Sequence, residues 1–329
     1  MSRNRIIMKL ILSLLLMYLL QTTCLAENIS NLRLVVTFPF MVDDVKAILC
    51  EGDEVFSLVP SGVDPHEYQL TYGDIEVLKG ADIIVSTAHT SFELRIKELI
   101  SAGELNAKLV EIPSIPGLVL LKNPYTNTLN YHGMLFHGYN YIAFLRYLSN
   151  ILSSIRPECA NIYNSKVEVL INRIERIEPF KPLRGLRAVI DTPVLQYLVS
   201  WLGANVTYIL AVEHDVPIIP HDISETEKIL ELSRQEAVVV VTEDSLAHNL
   251  LKELALKYGV NFLAIPNPIT STQSVLAYLE NIAKECQNLS TSKLSEVDVF
   301  NINLKSIILI ISIAIIILVV VLLIPRVKL

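Results

Sequence analysis

From residue 32 onward, short apolar runs alternate with longer stretches whose apolar positions recur every three or four residues. The runs at 32–37, 55–59, 81–86 and 109–112 read as strands, since a parallel strand covered on both faces is apolar throughout. Helical spacing at 39–50 and 71–79 separates the first three. The same grammar restarts after Gly185, with strands at 186–190, 206–210, 237–242 and 261–265. Helical stretches at 194–202, 223–233, 246–258 and 274–284 alternate with them. The alternation predicts an α/β protein of two Rossmann-like lobes, each on a parallel sheet. Between the lobes, Tyr163, Val167, Leu170, Ile171, Ile174 and Ile177 fall on one helical face. One long linker helix is expected there, over 157–178, stopped by Pro179 and Pro182.

The two ends carry a different pattern. Residues 307–324 form a run of 18 uncharged, almost wholly aliphatic residues after Lys305. At about 1.5 Å per residue such a run crosses a hydrocarbon core of roughly 30 Å, so a transmembrane helix is expected over 304–325. Arg326 and Lys328 put the short tail on the cytoplasmic side. At the other end Arg3, Arg5 and Lys9 precede apolar residues 10–20 and then Cys24-Leu25-Ala26, the pattern of a signal peptide over 1–26. The expected order is signal peptide, N-terminal lobe (27–156), linker helix, C-terminal lobe (179–286), polar stalk (287–303) and single-pass anchor. The bulk of the chain would then lie outside the cell.

Composition narrows the chemistry. A net charge of −7 gives no basic stripe and argues against nucleic acid. Once Cys24 leaves with the signal peptide, Cys50, Cys159 and Cys286 remain, scattered and odd in number. Neither a disulfide framework nor a thiolate zinc site is expected from them. Sequons at Asn28, Asn205 and Asn288 are compatible with an exposed surface.

The most specific stretch is Val59-Pro60-Ser61-Gly62-Val63-Asp64-Pro65-His66-Glu67-Tyr68. A strand ends, proline and glycine turn the chain, and His66 is presented at the carboxyl edge, where α/β sheets bind ligands. A turn histidine with no role is the plain alternative. Residues 60–68, with Asp74-Ile75 and residues 78–82, closely resemble the first metal-ligand motif of the cluster A-I solute-binding proteins. These are the zinc- and manganese-binding components of ABC importers, and the likeness extends over roughly residues 32–286.

The resemblance implies a cleft between the lobes in which three or four His and carboxylate side chains hold the ion. His66 takes the first ligand position. His132, before a helix at 139–154, takes the second, with Asn130-Tyr131 where the family has Asp-Pro. The third, a His or Glu, falls on Thr192, a poor zinc ligand. The adjacent Asp191 is then either an oxygen ligand or a helix cap. The fourth, an Asp in the family, falls on Asn267. His214, between Glu213 and Asp215, is either a compensating imidazole or part of a solvated loop. His89 stands where the family has a glycine-rich loop and is left out of the ligand set, as are His137 and His248.

Two imidazoles with Asp191 and His214 favour Zn2+, whereas a more oxygen-rich set admits Mn2+. The resemblance implies a monomeric receptor, not an enzyme, that carries the ion as transported ligand to an ABC permease. The anchor, export signal and aliphatic richness suggest an archaeal surface. Two other readings stay open. One is a family member that has lost its metal and binds another solute or serves as a scaffold, motivated by Thr192 and Asn267. The other is a metal-dependent hydrolase with Glu67 as general base, which no HExxH, nucleophile elbow or phosphate loop supports.

Overall fold

A computed structural model describes residues 31–211, 218–271 and 273–291. The signal peptide read over 1–26 and the anchor read over 304–325 lie outside the described residues. Among those described, no helix is long and apolar enough to cross a membrane.

Two four-stranded parallel sheets are built with the same topology. Strands β1 (Arg33–Val36), β2 (Glu54–Ser57), β3 (Ile83–Ser86) and β4 (Lys108–Glu111) lie in the order β2-β1-β3-β4. Strands β5 (Arg187–Ile190), β6 (Asn205–Ile209), β7 (Ala237–Thr242) and β8 (Asn261–Ile265) lie in the order β6-β5-β7-β8. Apolar content decides position within each sheet. The interior strands β3 and β7 are buried at every residue, whereas the edge strand β2 alternates exposed and half-buried positions.

Helices α1 (Val42–Ile48), α2 (Tyr72–Lys79) and α3 (Ser91–Ser101) accompany the first sheet. Helices α6 (Gln196–Trp201), α7 (Pro220–Ser233) and α8 (His248–Tyr258) accompany the second. Between them run α4 (Gly138–Ile155) and α5 (Ala160–Ile177), each of 18 residues and packed together, so the single linker of the sequence reading is half of a helical pair. On α5 the residues Tyr163, Val167, Leu170, Ile171 and Ile174 are buried, as their spacing predicts. The last helix, α9 (Val275–Thr291), takes in the first residues of the segment read as a polar stalk.

The sequence reading passed over α3, although Phe92, Ile96 and Leu99 have helical spacing and are buried. Its Thr90-Ser91-Phe92-Glu93 start is a capping box, in which the Glu93 carboxylate accepts from the Thr90 N–H at 3.2 Å. A second correction concerns the cysteines. Cys50, just after α1, and Cys159, just before α5, form a disulfide across a separation of 109 residues, while Cys286 is free and buried. Asp53 gathers the same corner, accepting from Leu32 N at 2.9 Å and Tyr163 Oη at 2.6 Å and pairing with Arg156.

One hydrophobic core runs from the first sheet through α4, α5 and α9 into one face of the second sheet. A separate cluster, including Val239, Val241 and Leu251, fills the far side of the second sheet. Polar ties reinforce the joint. The buried Asp44 of α1 accepts from Tyr141 Oη of α4 at 2.6 Å and from Val275 N of α9 at 2.6 Å. Arg173 of α5 forms a two-pronged pair with Glu280 of α9.

Candidate metal centre

The loops at the carboxyl ends of β2 and β3 and the long segment before α4 converge where the two sheets face one another. After β2 the chain turns through Pro60 and Gly62, whose φ of +82° is the left-handed conformation open to glycine. His66 follows, its backbone N–H bonded to Asp64 Oδ1 at 2.8 Å.

After β3 the turn is tighter. Glu93, buried at the start of α3, accepts from Ser86 Oγ at 3.0 Å, Thr87 N at 2.7 Å and His89 N at 3.1 Å. Both Glu93 oxygens also lie 2.9 Å from Thr87 Oγ1. Burial pushes the Glu93 carboxyl up, but His89 and this crowd of donors outweigh it and hold the group below the ordinary range. Being ionised it can only accept, so the single Thr87 hydroxyl proton points to it. The 2.8 Å contact between Thr87 Oγ1 and His89 Nδ1 is then a ring N–H donating to Thr87. Ala88, between the two, adopts φ +59°, a conformation unusual for a residue with a Cβ.

His132 is set by Asn130. The Asn130 amide nitrogen donates to Pro193 O and to Gln196 Oε1, each at 2.8 Å, in the second lobe. Its oxygen accepts from His132 N at 2.9 Å and lies 3.0 Å from His132 Nδ1, so that ring nitrogen carries the proton and Nε2 the lone pair. Next to it Gly133 has φ +69°, and a Cβ there would stand 2.4 Å from Val194 O of the other lobe.

Three imidazoles therefore meet. Ring centroids are 5.5 Å apart for His66 and His89, 5.6 Å for His66 and His132, and 4.7 Å for His89 and His132. One ligating atom from each can be chosen so that all lie within 4.8 Å of one another, a separation compatible with one ion between them. His66 is exposed and the other two half-buried, so the cluster opens to solvent on one side. His89, excluded by the sequence reading, is thus brought in. The signal for it was a histidine at a strand's carboxyl end just before a Thr-x-x-Glu helix start.

The second-lobe residues are placed differently. Asn267 borders the same cavity, but its Nδ2 donates to Asp244 Oδ2 at 3.1 Å and its Oδ1 accepts from Ile269 N at 3.1 Å. Thr192 and Val194 border it too. Asp191 is not among the bordering residues, and it caps no helix. Its Oδ2 accepts from Thr242 N at 3.0 Å and Thr242 Oγ1 at 2.8 Å, and burial pushes its carboxyl up. His214 lies outside the described residues. His137 is buried at the start of α4, its pKa lowered to about 4 by burial and by Lys181.

The cavity between the lobes measures about 530 Å³. The imidazole nitrogens that border it are donors of the kind that suit zinc and neighbouring transition ions better than magnesium or calcium, which take oxygen.

Residues 34–292 match the family model described as ZnuA, zinc-uptake complex component A, periplasmic. The iron-binding protein YfeA of Yersinia pestis is 23% identical over 258 residues, 73% of this chain and 81% of that protein. Among solved structures, the solute-binding protein FpvC of Pseudomonas aeruginosa in complex with Mn2+ superimposes with a TM-score of 0.64 at 19% identity, over 80% of this chain and 98% of that one. The periplasmic zinc-binding protein TroA of Treponema pallidum gives a TM-score of 0.61 at 17% identity, over 78% of this chain and 98% of that one. At these identities the superpositions speak for a shared fold.

Proposed function

This chain belongs to the ZnuA family of zinc-uptake components, and from that premise we propose that it captures a divalent cation outside the cell and delivers it to an ABC importer. The observation that carries the reading is the convergence of His66, His89 and His132 on the cavity between the lobes. These three imidazoles hold the ion, with zinc the first candidate and manganese the second. Asn267 borders the cavity from the second lobe, and the sequence offers two further imidazoles after β6, His214 and His221. Asp191 serves the sheet rather than the ion, in keeping with its bonds to Thr242.

The protein acts as a binding protein, not as an enzyme. The aliphatic run at 307–324 anchors it in the membrane as a monomer with its lobes outside, where tethering keeps the loaded receptor at high local concentration beside its permease.

Calorimetry on the full-length, metal-stripped protein in detergent tests this, with zinc and manganese as titrants. One-to-one zinc binding at submicromolar Kd, lost in the His66→Ala/His132→Ala variant, is the expected result. No binding by the unaltered protein sinks the reading and leaves a member that has turned to another solute.

A further inference from the structure

Ahead of His132 the chain makes a small hairpin. Lys122 and Leu129 pair across it, Asn123 N donates to Thr128 O at 2.9 Å, and Asn130 N donates to Leu121 O at 2.9 Å. Its root is tied to the first lobe. There the buried Asn140 of α4 accepts from Val119 N at 2.7 Å and donates to Val119 O at 2.9 Å and Met134 O at 3.0 Å. Its two legs are tied to the second lobe. The Tyr197 hydroxyl accepts from Leu121 N at 3.1 Å on one leg and donates to Asn130 O at 2.6 Å on the other. Gln196 does the same with its amide, donating to Lys122 O at 2.7 Å and accepting from Asn130 Nδ2 at 2.8 Å. At the tip the Tyr125 ring meets Tyr208 with centroids 5.7 Å apart, and Tyr125 Oη lies 3.3 Å from His221 Nε2.

Tyr197 and Gln196 are buried, and neither borders the cavity. Buried polar groups satisfied on both sides hold one geometry, because leaving any of them unpaired is costly. What they hold is the residue that sets His132, whose backbone N–H and ring Nδ1–H both go to Asn130 Oδ1. We infer that Tyr197 is a positioning residue for the ion site: with Gln196 it clamps both legs of the hairpin, and through Asn130 that clamp sets the direction of the His132 ring. The role given to His132 rests on the metal-receptor reading above. The second lobe then acts on the ion through a strap of the first. His66 and His89 stand on other loops, after β2 and β3, so loosening the clamp disturbs one imidazole of the cluster and leaves two in place.

The test uses full-length, metal-free protein in detergent, isotope-labelled in its histidine ring nitrogens and held at a pH where imidazole is neutral. Nuclear magnetic resonance reads the tautomer of each ring. The His132 signals, identified by their loss in His132→Gln, should be those of the Nδ1–H form. Tyr197→Phe keeps the aromatic packing and removes the hydroxyl. It should move the His132 signals towards a mixture of tautomers while those of His66 and His89 stay where they are. Gln196→Met, which removes the other bridge, should do likewise and decides alone if Tyr197→Phe does not fold. Zinc should leave either variant about tenfold faster and associate at an unchanged rate. His132 signals that stay unmoved in both variants overturn the proposal. So do signals of all three histidines that move together, the mark of a loosened fold, or a displaced ring from which zinc leaves no faster. If the unaltered protein binds no zinc, the receptor reading has failed, and the ring signals alone decide whether the clamp sets His132.

Discussion

The two walls of the cleft are built from sheets of the same topology, yet they are chemically unlike. The first lobe presents three imidazoles, two of them braced through their second ring nitrogen by Thr87 and by Asn130. Among the described residues the second presents hydroxyls, an amide and aliphatic side chains, while its Asp191 is bonded into its own sheet. One wall is arranged to coordinate and the other to enclose. On the function proposed above, such a site would bind without waiting for the lobes to close, because the ring nitrogens already stand together on one side.

The contrast can be broken most directly at His89. His89→Ala should weaken zinc binding by about 100-fold or more, roughly 3 kcal/mol, measured by competition with a chromogenic chelator. An effect below threefold would mean that the second lobe supplies the third ligand after all. Stability against pH probes the joint between the lobes, where two buried groups pull in opposite directions. Asp44 has its pKa raised to about 6 by burial, so the folded state binds its proton more tightly than the unfolded chain. Its contribution therefore favours folding more as pH falls from 6 towards 4. His137, lowered to about 4, does the reverse, and its contribution is lost as pH falls from 6.5 towards 4. Melting of the metal-free protein should lose stability more steeply with acid in Asp44→Asn and less steeply in His137→Gln, by about 2 kcal/mol in either direction. Identical pH profiles in the two variants would remove both groups from the account.

A finer cut is Glu93→Gln, which keeps shape but removes the charge that orders Thr87 and His89. A loss of about tenfold in zinc affinity is expected, with little change in manganese preference, read by the same competition assay. The smallest effect belongs to the enclosing wall. Asn267→Ala should alter zinc affinity by less than about threefold, around 0.6 kcal/mol, and a larger loss would promote Asn267 from border to ligand.

Much of the fold was legible because burial on both faces of a parallel strand leaves a plain apolar run, as in Val238 to Val241. His66 was legible for a local reason, a turn of proline and glycine at a strand's carboxyl edge. His89 was passed over because its loop was compared with a glycine-rich pattern, and the short helix that positions it went unread. Asp191 and Thr192 illustrate another limit. Successive residues in extended chain point to opposite sides, and the two diverge here, Thr192 to the cavity and Asp191 to Thr242. The disulfide could not be read from spacing at all, since its partners are 109 residues apart and meet only once α5 packs against α1.

Gly133 gives the contrast between the walls a ruler. Its missing side chain lets the histidine-bearing segment touch the backbone of Val194, where a single methyl group would stand 2.4 Å from the carbonyl oxygen. The gauge of the cleft is therefore fixed by main chain against main chain, next door to His132 of the imidazole cluster. Side chains around the cavity can change to suit a different cargo without altering that gauge, so long as position 133 stays bare.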